Sequence, residues 1–252
     1  MIIVKHHTIN NVPFLEVVQA EHAEKSIPLV FFYHGWTSQK ESVLVHGYEL
    51  AKQGIRALLP DALYHGERQV GPSVEHHYAE FWDIVIQNIE EFPMLVDYFV
   101  TKGLANWEHV GVTGLSMGGI TTCGLFASEP RIKAASCLMG APNYSEFMDM
   151  LVSEGQKRLN FTFPEAMVAT MKQKLEPYDL GRAPDKIAGR PFHLWHGRQD
   201  GVVPFQPTYH FYNTHKNEEY GRRMRFTATD DEHKVPYTIT LEMSRFFREQ
   251  MF

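Results

Sequence analysis

Cysteine is scarce in this chain, with two among 252 residues, and neither Cys-x-x-Cys nor His-Glu-x-x-His occurs. That excludes a disulfide-stapled scaffold and the zinc patterns those spacings signal. Cys123 and Cys137 stand in apolar stretches and read as buried free thiols. Positive charge is also short: 24 Lys and Arg face 30 Asp and Glu, a formal net charge of -6. A nucleic-acid partner is thereby excluded, because phosphate binding works through clustered basic residues that release counterions. The one basic run, Arg222-Arg223-Met224-Arg225, reads as the solvated edge of a strand. No stretch approaches the roughly 18 consecutive apolar residues that cross a bilayer, so no membrane partner is expected. The first residues alternate apolar and polar side chains where a signal peptide would carry an apolar core, and the expected location is the cytoplasm. Histidine is plentiful, at fourteen, but the pairs His6-His7 and His76-His77 point to different faces of any strand or helix and read as surface residues. No metal site and no cofactor is expected.

What the chain does contain is a strand-helix alternation behind an N-terminal hairpin. Strands are expected at Ile2 to Ile9, Phe14 to Gln19, Pro28 to Tyr33, Ile55 to Leu59, His109 to Thr113, Lys133 to Met139, Phe192 to Trp195 and Met224 to Ala228. Helices are expected at Ser42 to Gln53, Glu75 to Lys102, Ser116 to Ser128, Pro204 to Lys216 and Val235 to Met251. Runs such as Pro28-Leu29-Val30-Phe31-Phe32-Tyr33 are apolar on both faces, which suits the middle of a sheet covered by helices on both sides. The expected fold is α/β, a mostly parallel sheet with its reactive groups at the carboxyl ends of the strands. The whole chain, 1–252, reads as one domain. Segment 143–190 interrupts the alternation, with Phe147, Met148, Met150, Leu151, Met167, Met171 and Leu175 at helical spacing. It reads either as a plain connection or as a small helical cap whose Met-rich face adapts to acyl groups. The cap is preferred because a crossover needs far fewer residues.

The chemistry centres on Gly114-Leu115-Ser116-Met117-Gly118-Gly119, directly after the strand Val110 to Thr113. This is the nucleophile-elbow pattern, in which a sharp strand-to-helix turn lifts a serine above the sheet. A serine hydroxyl needs a histidine to take its proton and a carboxylate to hold that histidine's tautomer. His196-Gly197-Arg198-Gln199-Asp200 follows one later strand and Asp230-Asp231-Glu232-His233-Lys234 the next, so the order is Ser116, Asp200, His233. Asp230, Asp231 and Glu232 sit too close to His233 in sequence to curl back onto its ring. His196 reads as a residue that packs or hydrogen-bonds at the top of the sheet. Two backbone N–H groups must meet the developing oxyanion. Met117, at the start of a helix, supplies one, and Trp36, in the loop Tyr33-His34-Gly35-Trp36-Thr37, supplies the other. The Trp36 indole either walls the pocket or packs. Asp61 and His65 read as turn structure at the pocket rim. Asn143, Tyr144, Phe147, Met148 and Val203 are the expected substrate-pocket residues.

These motifs, with His34-Gly35-Trp36-Thr37-Ser38, Pro60 to Arg68 and Asp231 to Pro236, make the chain resemble the α/β-hydrolase superfamily from Pro28 to the C-terminus. The resemblance is to its dienelactone hydrolase and prolyl oligopeptidase-like branch, and within it to small bacterial serine esterases. It implies cofactor-free ester hydrolysis, with Ser116, Asp200 and His233 matching the triad and Trp36 and Met117 the oxyanion positions. Dienelactone hydrolases use a cysteine where Ser116 stands, prolyl oligopeptidases carry a propeller this chain is too short to hold, and the HGGG signature of many lipases is absent. The expected activity is therefore hydrolysis of small to medium acyl esters through an acyl-enzyme. A peptidase or thioesterase using the same triad is the alternative, and a catalytically silent binding protein is a third reading. The expected partner is a small-molecule ester, and a homo-oligomer is left open.

Overall fold

The computed structural model describes residues 1–71, 73–159 and 162–252. Its eight strands are β1 (Ile2–Ile9), β2 (Val12–Gln19), β3 (Leu29–Tyr33), β4 (Arg56–Pro60), β5 (Val110–Leu115), β6 (Ala134–Leu138), β7 (Phe192–Gly197) and β8 (Met224–Thr229). They form one sheet in the order β1-β2-β4-β3-β5-β6-β7-β8. β1 pairs antiparallel with β2, and β2 with β4, while every other pairing is parallel. The expected strands are all present, shifted by a residue or two at their ends.

Among the described residues seven α-helices accompany the sheet: α1 (Leu44–Lys52), α2 (Phe81–Thr101), α3 (Met117–Ser128), α4 (Tyr144–Leu159), α5 (Glu165–Leu175), α6 (Phe205–His215) and α7 (Tyr237–Met251). The helix expected from Glu75 starts later, because His77 has non-helical dihedrals and Val74–Glu80 winds as a 3-10 turn. Likewise Lys40–Val43 is a 3-10 turn ahead of α1.

Side-chain alternation along each strand divides the core in two. In β3, Leu29, Phe31 and Tyr33 face one cluster with Phe92 of α2 and Phe126 of α3. Val30 and Phe32 face the other, with Leu50 of α1 and Phe246 and Phe247 of α7. Phe31 and Phe32 are both fully buried, each contributing about 2 to 3 kcal/mol relative to exposure. Covering both faces fixes the register and leaves the strand ends as the place where loops carry function.

Between β6 and β7 lie α4 and α5; positions 160 and 161 of this segment lie outside the described residues. The start of α4 is anchored from a distance. The buried Asp179 carboxylate accepts from the Tyr144 N–H (3.0 Å), the Ser145 N–H (2.9 Å) and the Ser145 hydroxyl (2.7 Å). A negative charge there also complements the helix dipole.

Candidate active site

Ser116 sits between β5 and α3 with φ 56° and ψ -119°, outside the ordinary regions for an L-residue. Its two flanking glycines make that turn possible. A Cβ on Gly118 would lie 2.0 Å from the Tyr33 carbonyl oxygen, and one on Gly114 would lie 2.5 Å from the backbone of Gly118. No other residue fits either place. The Ser116 N–H is held by the Leu138 carbonyl at 3.0 Å, so the neighbouring strand fixes the turn.

The loops after β7 and β8 bring the other two groups to this serine. His233 Nε2 lies 2.9 Å from Ser116 Oγ, and its Nδ1 lies 2.7 Å from Asp200 Oδ2. An ionised carboxylate only accepts, so Nδ1 carries the proton and Nε2 accepts from the serine hydroxyl. The Asp200 side chain is fully buried and the His233 side chain 21% exposed. Burial alone would raise the Asp200 carboxyl; hydrogen bonds from His196, His233 and the Val202 N–H overcome it and hold the carboxyl well below the usual range. Asp230 pairs instead with Arg198 at 3.2 Å, away from the ring.

On the other side of Ser116 runs the loop after β3. A Cβ on Gly35 would lie 3.4 Å from Ser116 Cβ, so the loop passes close to that serine. His34 Nδ1–H donates to the Gly35 carbonyl at 2.8 Å, and its Nε2 accepts from the Ala62 N–H at 3.0 Å. The Gly35 carbonyl and the Trp36 N–H belong to one peptide plane, so fixing the first orients the second. Met117 begins α3, where N–H groups lack an intrahelical acceptor.

The loops after β3 and β4 are tied together below this point. Lys40 is almost fully buried, with Nζ 2.7 Å from Asp61 Oδ2, 2.7 Å from Glu67 and 3.0 Å from Glu41. Asp61 is thus a buried counter-ion and not only a turn residue. His65 stands behind Trp36, their rings 5.2 Å apart and nearly perpendicular. The exposed groups of His6, Glu41 and Glu67 approach within ligand reach of one another, and both carboxylates also contact the Lys40 ammonium.

The sequence profile of the prolyl oligopeptidase family matches residues 82–247, a span that includes Ser116, Asp200 and His233. The chain belongs to the prolyl oligopeptidase family. It is 40% identical over 251 residues to the "Putative esterase YitV" of Bacillus subtilis (strain 168), covering 98% of each chain. It is 28% identical over 216 residues to the "Esterase YjfP" of Escherichia coli (strain K12), covering 81% of each. Among solved structures, TT1662 from Thermus thermophilus superposes with TM-score 0.79 at 18% identity, covering 100% of this chain and 98% of that one. The Pyrococcus furiosus esterase Pf2001 gives TM-score 0.65 at 18% identity, covering 100% and 94%. At such identity these neighbours share the fold, that of the α/β-hydrolases, and the family membership makes the protein a hydrolase.

Beside the loop of Trp36 and the turn that follows Asp200 lies a cleft of about 620 Å³, lined by Trp36, Tyr78, Gly201, Val202 and, from α4, Met150 and Leu151. A second, smaller cavity of about 200 Å³ shares Met150 and Pro204 with it. Three of the expected pocket residues, Asn143, Phe147 and Val203, line this smaller cavity. The other two need correction. Tyr144 is fully buried and donates its hydroxyl to the Ile120 carbonyl, fastening α4 to α3. Met148 faces an apolar space between α2 and α4–α5, with Trp82, Met167 and Met171. Helical spacing identified the apolar face of α4 but not which neighbour it meets. Trp36 is half-buried and does wall the cleft. The sequence reading missed Lys40 and the contact of His196 with Asp200; the four-residue spacing of His196 and Asp200 across a strand end was the signal for the second.

Proposed function

We propose that this protein is a serine carboxylesterase acting on esters of small to medium acyl groups. The observation that carries the reading is the continuous chain Ser116 Oγ, His233, Asp200 at 2.9 and 2.7 Å, set on a strained elbow. The names of the two esterase relatives support the same reaction class. Ser116 Oγ attacks the ester carbonyl carbon while His233 Nε2 takes its proton. The oxygen that becomes negative is received by the N–H groups of Trp36 and Met117. Collapse expels the alcohol, protonated by His233, and leaves an acyl group on Ser116. Water activated by His233 then releases the acid. Asp200 stays ionised throughout and stabilises the imidazolium.

In this reading residues 1–252 form one domain, and the helical segment 143–190 caps the cleft and selects among acyl groups. The substrate is a small-molecule ester, the reaction needs no metal or cofactor, and the enzyme works in the cytoplasm. The test is a fluorophosphonate probe with peptide mapping, joined to a panel of acyl esters, thioesters and aminoacyl amides compared by kcat/KM. The expected adduct is on Ser116, absent from Ser116→Ala, whose kcat falls by about 10³ to 10⁶. An adduct on another serine overturns the assignment, and a higher kcat/KM on amides or thioesters transfers the reading to a peptidase or thioesterase.

A further inference from the structure

Asp200 Oδ2 is approached by two imidazoles. One is His233 at 2.7 Å; the other is His196, whose Nε2 lies 3.2 Å away. His196 stands at the end of β7, fully buried, and its Nε2 also lies 2.8 Å from the Val203 carbonyl oxygen. A carbonyl only accepts, so the proton of His196 is on Nε2, shared between Val203 and Asp200. Its Nδ1 is buried with no hydrogen-bond partner among the described residues, so the polar contacts of the ring run through Nε2. Meanwhile the N–H groups of Val202 and Val203 both donate to Asp200 Oδ1 at 2.9 Å. The turn 200–203 is therefore closed into a ring by His196: imidazole to Val203 carbonyl, Val203 N–H to one carboxylate oxygen, imidazole to the other.

Resting on the triad reading above, we propose that His196 is a positioning residue for the reaction. It holds the Asp200 carboxylate against His233 and shares the very oxygen that His233 uses. Apolar packing alone would not need a donor at this place. Phe205 stacks edge-on to the ring at 6.0 Å and would serve a phenyl side chain equally well. The same ring of bonds sets Gly201, Val202 and Pro204, which wall the cleft, so one brace serves both the acid and the site's shape.

The experiment compares His196→Phe, His196→Gln and His196→Asn in the full chain. Read out are kcat, KM, thermal midpoint and the far-downfield proton resonance of the His233–Asp200 hydrogen bond. Phe keeps a ring without a donor, and kcat is expected to fall about 10- to 100-fold with little change in KM, the range for residues that orient a catalytic group from behind. Removing the competing donor gives His233 the whole of Oδ2, so the resonance moves further downfield. Gln carries an N–H at the reach of Nε2 and recovers most of the loss; Asn is too short and does not. Should the Phe variant fail to fold, Gln against Asn makes the same comparison. The proposal is overturned if a folded variant without the donor keeps wild-type kcat, or if kcat falls while the resonance stays in place. A wild-type protein with no such resonance and no Ser116 adduct fails the triad reading instead, a distinct result.

Discussion

Two buried histidines make stability depend on pH in a way that can be worked out beforehand. His34 is the first residue of the loop after β3, and His46 on α1 stacks face to face on Phe32 with centroids 4.4 Å apart and Nδ1 3.0 Å from the Thr240 hydroxyl. Burial pushes both down from 6.5 to about 4. In the unfolded chain each takes a proton near its ordinary value, while the native state refuses it until the pH falls to about 4. The stability each ring supports is therefore fully present above pH 6.5 and is lost as pH falls toward 4, at about 1.4 kcal/mol per unit. Between pH 7 and pH 5 this amounts to about 2 kcal/mol per histidine and about 4 for the pair. Replacing His46 by Phe keeps a ring against Phe32 and removes one of the two contributions. Urea unfolding at both pH values then gives the check. The difference in unfolding free energy between pH 7 and pH 5 is expected to shrink by about 2 kcal/mol in the variant, whatever its absolute stability. Every other titrating group is common to both proteins and cancels. Equal pH dependence in the two would show that His46 is not held neutral by burial, and the same argument for His34 would go with it.

Three further outcomes follow from named contacts. Asp200→Asn leaves the fold intact, as thermal unfolding would verify, and lowers kcat by up to about 10⁴, because the amide holds the wrong His233 tautomer; loss in Asp231→Asn with none in Asp200→Asn refutes the assignment. Lys40→Met strands the fully buried Asp61 carboxylate and should cost about 3 to 5 kcal/mol in urea unfolding; a cost under about 1 would mean that Glu41 and Glu67 already let water reach the pair. Met150→Ala, at a residue that lines both cavities, should change the order of kcat/KM among esters of increasing acyl length, whereas Met167→Ala, which lines the separate apolar space beside α2, should not. An unchanged profile in Met150→Ala places selection elsewhere on the rim.

The parts of this protein that can be read from the sequence are those dictated by the backbone. Gly114 and Gly118 are demanded by contacts shorter than any Cβ allows, so the elbow is written as a pattern of residue types at fixed spacing. The order of Ser116, Asp200 and His233 follows from parallel strands that all end at one edge, which places each triad residue in a loop at that edge. The pocket is less legible because it depends on how one helix face meets its neighbours. Tyr144, Phe147 and Met148 lie within five positions on α4, yet they meet α3, the smaller cavity and the inner apolar space respectively. Periodicity reports that such residues are buried, but not against what. Asp179 is a similar case: nothing near it in sequence marks it as the anchor of a helix that starts at Tyr144, because that contact closes only when the segment folds back.

Three of the histidines, of which sequence reading gave His65 to the pocket rim and His196 to packing or hydrogen bonding at the top of the sheet, share a physical purpose at the carboxyl edge of the sheet. His34, His65 and His196 each lie within hydrogen-bond distance of a backbone carbonyl oxygen in their own loop, those of Gly35, Leu63 and Val203, all at 2.8 Å. Each is nearly or fully buried, and burial lowers His34 and His65 so that they stay neutral. A neutral imidazole offers one donor and one acceptor from a rigid ring, enough to close a turn without adding charge. That absence of charge matters beside this reaction. A carboxylate behind the loop of Trp36 would repel the negative oxygen of the intermediate, and a cation beside Asp200 would draw the carboxylate away from His233. Asp61, the buried carboxylate under the same loops, is paired directly with the Lys40 ammonium at 2.7 Å. The edge is thus braced by buried rings near Ser116 and Asp200 and by the Lys40–Asp61 ion pair further down, and in the proposed reaction Asp200 is the charge that His233 meets when it takes the serine proton.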